Sequence, residues 1–113
     1  RLWDMRMLRP LQRFKGHQNT SKNFIRCTIA HPSLIVLGSK DGLVYMWGQE
    51  SSLALQTLKG HGTASHPAAA TVGGRKQVAV YSAAWNKVQC LLASCADDGT
   101  VRLWDWTPPH DAP

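Results

Sequence analysis

The sequence predicts an all-β fold, on two observations about its local patterning. Short apolar runs with a period of two recur along the chain, which is typical of strands with one buried face. Asp-Gly dipeptides at 41–42 and 98–99 are hairpin signals, because glycine tolerates a positive φ at the turn. No stretch with helical periodicity competes. With 113 residues, the chain has the size of one small domain.

The predicted strands form consecutive hairpins. Leu34–Leu37 and Leu43–Trp47 flank the first Asp-Gly turn, and Cys90–Ala93 and Val101–Trp104 flank the second. Further apolar segments precede each pair and end in turns that contain Pro or Asn. The full set of predicted strands lies near residues 1–3, 11–14, 24–29, 34–39, 43–47, 53–58, 79–85, 90–95 and 100–104.

One pattern of residues occurs twice. Gly16-His17 and Gly60-His61 each follow a similar lead, and each is followed by D-G-x-V-x-x-W, ending at Trp47 and at Trp104. A partial third copy, Arg1-Leu2-Trp3-Asp4, begins the chain. This repetition resembles the WD-repeat family of β-propellers, whose units carry Gly-His near the start and Trp-Asp at the end.

The resemblance implies a partial β-propeller over residues 1–106. In this family a sequence unit runs d-a-b-c, whereas the spatial blade runs a-b-c-d. Residues 1–14 then end an earlier blade, residues 22–59 form a complete four-stranded blade, and residues 79–106 form a last blade without its outer strand. In such propellers the N-terminus of the whole protein supplies that strand, so we expect a C-terminal propeller fragment.

The two units differ in length. His17 and Trp47 are 30 positions apart, whereas His61 and Trp104 are 43 apart. The surplus lies in residues 63–77, whose small, Pro- and Gly-containing composition predicts a flexible inserted loop. A binding loop and an irregular splice product both remain open, and a Pro-rich tail follows at 107–113.

A set of His, Ser, Asp and Trp residues recurs in both units. The resemblance implies structural tetrads that share buried hydrogen bonds: His61, Ser94, Asp98 and Trp104 in the last unit, and His17, Ser39, Asp41 and Trp47 in the middle unit. In the middle unit Leu37 holds the position equivalent to Ser94, and strand alternation predicts that Ser39 replaces it. A hydrolase would need an exposed nucleophile, and no G-x-S-x-G turn occurs, so no catalytic residue is predicted.

Trp3-Asp4-Met5-Arg6 fits the pattern W-D-x-R. This pattern is similar to that of propellers that dock as substrate receptors onto adaptors of cullin-RING ubiquitin ligases. The resemblance implies that Arg6 projects from a loop and pairs with adaptor carboxylates. The alternative is that Asp4 and Arg6 steady the loop by a surface ion pair, worth about 0–1 kcal/mol.

The charge of the chain is uneven. The net charge is +6, and five basic residues lie in the first fifteen positions: Arg1, Arg6, Arg9, Arg13 and Lys15. No aromatic stacking motif accompanies them, so a solvated surface is expected, with nucleic-acid binding as an alternative.

Composition excludes several other classes of site. Three cysteines (Cys27, Cys90 and Cys95) without a C-x-x-C pair predict neither a disulfide framework nor a zinc site, and they suit the cytosol or nucleus. We expect no cofactor and no metal. We also expect no membrane contact, because no apolar run approaches the length of about 18 residues that is needed to cross a bilayer. The predicted function is a non-enzymatic scaffold that binds other proteins or peptides, with a truncated fragment of little independent activity as a further alternative.

Overall fold

The structure, a computed structural model, describes residues 1–19, 24–30, 33–61 and 78–105. These residues form strands and no helix, which confirms the predicted all-β class. The predicted insertion at 63–77 and the tail at 107–113 lie outside the described residues. The strands are β1 (Leu2–Asp4), β2 (Arg9–Gln12), β3 (Cys27–Ala30), β4 (Leu34–Gly38), β5 (Val44–Gly48), β6 (Gln56–Leu58), β7 (Val80–Asn86), β8 (Leu91–Ala96) and β9 (Val101–Asp105).

In the described part of the chain, the strands form three antiparallel sheets in chain order. The first sheet contains β1 and β2, the second contains β3 to β6, and the third contains β7 to β9. This is the arrangement expected of one complete blade between parts of two others. The registers of the second and third sheets correspond, because Trp47 pairs with Ile35 as Trp104 pairs with Leu92.

The two Asp-Gly turns have the same local geometry. Gly42 and Gly99 adopt φ angles of 87° and 75°, which a side chain would strain. In each turn the Asp side chain accepts a hydrogen bond from the backbone N–H two residues later, at 3.1 Å in the first turn and 3.0 Å in the second. The Asp and Gly residues therefore determine the backbone geometry of both turns in the same way.

The hydrophobic core lies between the second and third sheets. Its buried residues are Ala30, Val36, Val44, Met46, Val80, Ala83 and Leu92. A backbone hydrogen bond of 2.9 Å from Val80 N to Ser39 O joins the two sheets directly. The outer face of β9 is open, since the Val101 and Leu103 side chains are each 70% exposed. Within the described ranges, no helical segment has the length and apolar character needed to cross a membrane.

Gly38, the last residue of β4, lies against the backbone of β7. A Cβ at this position would lie 2.9 Å from Val80 Cγ1 and closer still to the Val80 carbonyl. We expect Gly38→Ala to lower the free energy of unfolding by about 1–3 kcal/mol, because overpacking would push the sheets apart. Urea denaturation measures the loss.

Gly48→Ala is the matched control, because its Cβ would meet the flexible end of the Leu55 side chain at 3.3 Å. Equal losses in the two variants would show that the close approach at Val80 carries no special cost.

Candidate functional site

The structure brings together the four residues predicted for the last unit, which we call the C-terminal quartet: His61, Ser94, Asp98 and Trp104. His61 precedes the third sheet, Ser94 lies on β8, Asp98 lies in the β8–β9 turn and Trp104 lies on β9. His61 Nε2 is 2.7 Å from Ser94 Oγ, and His61 Nδ1 is 3.2 Å from Asp98 Oδ2. Trp104 Nε1 donates a hydrogen bond of 2.9 Å to Ser94 Oγ.

The chemistry of the donors assigns the protons in this quartet. The indole N–H of Trp104 is a donor only, so Ser94 Oγ accepts from it. In the His61 tautomer that carries its proton on Nδ1, Nε2 accepts the hydroxyl proton of Ser94. His61 then carries its proton on Nδ1 and donates it to the Asp98 carboxylate. A continuous chain of hydrogen bonds therefore runs from the indole to the carboxylate.

Thr100 joins this chain, although sequence reasoning did not include it. Its Oγ1 donates to Asp98 Oδ1 at 2.6 Å and lies 3.2 Å from His61 Nδ1. The available signal was the hydroxyl residue directly after Asp-Gly, which the middle unit replaces with Leu43. Thr100 thus gives the Asp98 carboxylate a hydroxyl hydrogen bond from the position that Leu43 holds in the middle unit.

The C-terminal quartet has the atoms of a hydrolytic triad but not its accessibility. Ser94 is 2% exposed and Asp98 is 1% exposed. The Ser94 oxygen also accepts the Trp104 indole proton, so it is not open to a substrate carbonyl. Among the described residues no cluster of three His, Cys, Asp or Glu side chains could hold a metal ion. What the arrangement can do is hold β8, β9 and the segment before the sheet together.

The middle unit uses different hydrogen bonds. Ser39 Oγ accepts from Gln18 N at 2.8 Å and donates to Gln18 O at 3.1 Å, and Trp47 Nε1 donates to Lys15 O at 3.1 Å. The structure therefore gives Ser39 a different role from the predicted one. The physical reason is that β4 ends at Gly38, so strand alternation no longer sets the direction of the next side chain.

Aromatic contacts surround the remaining members of the middle set. Asp41 Oδ2 accepts a hydrogen bond of 2.6 Å from the Tyr45 hydroxyl, and burial together with this bond raises the pKa of Tyr45 to about 12. The His17 ring packs edge-on to Trp47, with centroids 5.2 Å apart. Among the described residues His17 Nδ1 has no hydrogen-bond partner, and burial lowers the pKa of His17, against the opposing effect of the Asp41 charge.

Asp4 and Arg6 lie at the turn between β1 and β2. Asp4 Oδ1 accepts hydrogen bonds from the backbone N–H groups of Arg6, at 2.9 Å, and of Met7, at 3.2 Å. In the described part of the chain these two side chains form no ion pair with each other. Asp4 therefore fixes the turn through the backbone and leaves the Arg6 side chain exposed.

Comparisons with known proteins agree with this geometry. The family described as "WD domain, G-beta repeat" matches residues 8–48 and 68–105, more than half of the chain.

Three relatives illustrate the similarity. The chain is 33% identical to the WD repeat-containing protein WDS homolog of Arabidopsis thaliana, over 96% of this chain and 18% of that protein. It is 32% identical to the WD repeat-containing protein 26 homolog of Drosophila melanogaster, over 95% of this chain and 15% of that protein. It is 30% identical to GID complex subunit 7 of Schizosaccharomyces pombe, over 91% of this chain and 18% of that protein. The chain thus spans less than a fifth of the length of these curated relatives.

Removing the Ser94 hydroxyl tests what the C-terminal quartet contributes. We expect Ser94→Ala to lower the free energy of unfolding by about 1–3 kcal/mol, because the Trp104 N–H and a buried His61 nitrogen lose their partner. Urea denaturation followed by tryptophan fluorescence measures the change.

Ser51→Ala provides the control, because that hydroxyl bonds the neighbouring Leu53 carbonyl near the surface. We expect this variant to change the free energy of unfolding by no more than about 0.5 kcal/mol. A Ser94→Ala loss as small as the control would contradict the inferred contribution of the quartet.

Proposed function

This chain belongs to the WD domain, G-beta repeat family, and we propose that it forms part of a propeller that acts as a non-enzymatic scaffold for other proteins. The observation that carries the proposal is the burial of His61, Ser94 and Asp98 in the C-terminal quartet. Its Ser, His and Asp side chains are directed at one another, so this chemically capable group serves the fold. The exposed loops remain for contact with partners.

A relative's name supports the same class of function. One similar protein is a subunit of a complex, GID complex subunit 7. Membership of a multiprotein assembly is therefore a reasonable role for this chain as well.

Affinity capture tests the scaffold proposal. We expect the wild-type chain to retain a defined set of proteins, and a Ser94→Ala/Asp98→Ala double variant to lose them, because the loops keep their sequence but not their framework. Mass spectrometry of the retained proteins, with circular dichroism of both chains, measures this.

Two results would oppose the proposal. Retention of the same proteins by both variants would mean that binding does not need the fold, as expected of a fragment with little activity of its own. Hydrolysis of an ester substrate that depends on Ser94 would contradict the non-enzymatic role.

A second candidate function is that of a substrate receptor for a cullin-RING ubiquitin ligase. The W-D-x-R pattern at residues 3–6 suggests it. The Asp4-capped turn supports it, because the turn is fixed while the Arg6 guanidinium stays exposed to pair with carboxylates of an adaptor.

Co-precipitation with the purified adaptor tests this candidate. We expect Arg6→Ala to reduce recovery at least about tenfold, as loss of a charge-assisted interfacial contact does. Arg9→Ala is the control, because Arg9 is also exposed but lies on β2, outside the pattern. Equal recovery of the wild type and Arg6→Ala would remove the receptor role and leave the scaffold proposal standing.

A further inference from the structure

A cleft of about 430 Å³ lies beside the segment that follows β2. We call it the basic cleft. Its lining includes three exposed cationic residues, Arg1, Arg13 and Lys15, together with Phe14, His17 and Asn19. The cations come from both ends of the first sheet's hairpin, so the fold brings together charges that are distant in sequence.

The charge of the basic cleft is not balanced locally. No carboxylate is among the described residues that line it. The carboxylates of the neighbouring turns lie outside this lining: Asp4 caps its own turn, and Asp41, whose charge acts on His17, accepts the Tyr45 hydroxyl. A concave surface lined by one sign of charge concentrates its field and attracts the opposite sign.

The donors in the basic cleft suit a carboxylate or a phosphate group. Arg1 and Arg13 each offer a planar fork of N–H donors, which matches two oxygens of such an anion, and Lys15 adds a compact charge. Burial lowers the pKa of His17, so its ring is neutral near pH 7 and the positive charge comes from the other three side chains.

The aromatic content and the size of the basic cleft favour a peptide over a nucleic acid. Non-specific nucleic-acid sites combine a charged track with open aromatic faces on which bases stack. Phe14, the aromatic ring of this cleft, is half-buried and packs against Trp47 with ring centroids 5.7 Å apart. A cavity of about 430 Å³ holds a few amino-acid side chains rather than a run of several nucleotides.

We propose that the basic cleft binds an anionic peptide segment of a partner protein, through carboxylate or phosphate groups held by Arg1, Arg13 and Lys15. The proposal rests on the scaffold function and specifies the chemistry of one partner. The carboxylate could come from Asp and Glu side chains and the phosphate from a phosphorylated serine, and the two sources share the same donors.

Fluorescence anisotropy tests the proposal with three labelled probes of equal charge: a Glu-rich peptide, a phosphoserine peptide and a single-stranded DNA oligonucleotide. We expect the chain to bind at least one peptide more tightly than the DNA. Arg13→Glu/Lys15→Glu should weaken that binding at least tenfold. The stronger of the two peptides identifies the source of the anion.

Arg9→Glu/Lys87→Glu is the matched control. It makes the same change in net charge at two exposed positions outside the basic cleft, and we expect less than a threefold effect. Circular dichroism of each variant establishes that the sheets are retained, and the substitutions at 13 and 15 leave the Lys15 carbonyl in place for Trp47.

Three results would overturn the proposal. Equal weakening by the two double variants would mean that net charge, and not the cleft, attracts the peptide. Tighter binding of DNA that is lost in Arg13→Glu/Lys15→Glu would make the cleft a nucleic-acid site. Both peptides could fail to bind while affinity capture still retains proteins on the wild-type chain that the Ser94→Ala/Asp98→Ala variant loses. That result would remove the cleft as a peptide site without affecting the scaffold function.

Discussion

Contact between the second and third sheets is the constraint on which the rest of the described structure depends. The second and third sheets carry apolar side chains on both faces, and those on the faces that meet each other form the buried core. The close approach of Gly38 to Val80 sets the separation, and the Val80–Ser39 backbone hydrogen bond fixes the register of one sheet on the other. His61 reaches the third sheet from the segment that follows β6, so the C-terminal quartet forms where the second and third sheets meet.

Much of this architecture could be predicted from the sequence because it is encoded by short-range signals. The Asp-Gly turns, the alternation within strands and the repeated Gly-His and Trp positions depend on a few adjacent residues. The nine strands of the described ranges lie near their expected places. The gathering of His61, Ser94, Asp98 and Trp104 could also be anticipated, because the repeat specifies all four residue types and the surplus at 63–77 separates only His61 from the other three.

The middle unit shows where such reasoning stops. Alternation placed Ser39 on the face of Leu37, but β4 ends one residue too early for that rule to apply. The use of Lys15 O by Trp47 depends on where a preceding segment crosses the sheet. The bond from Tyr45 to Asp41 involves a position that the repeat pattern leaves variable. The basic cleft could not be predicted either, because a run of basic residues in the sequence does not reveal which of them line the same concave surface.

The two tryptophans differ in which part of the chain accepts their indole protons. Trp104 bonds Ser94 within its own sheet, whereas Trp47 bonds the backbone of the segment that precedes its sheet. If that segment detached, the buried Trp47 indole would lose its acceptor. Detachment of β6 together with His61 would leave the Trp104 bond to Ser94 intact but would remove the His61 partner of Ser94 and Asp98. Because the second and third sheets share one core, they should open together as one cooperative unit, whereas the first hairpin should open before them, which makes the cooperative units of the array unequal.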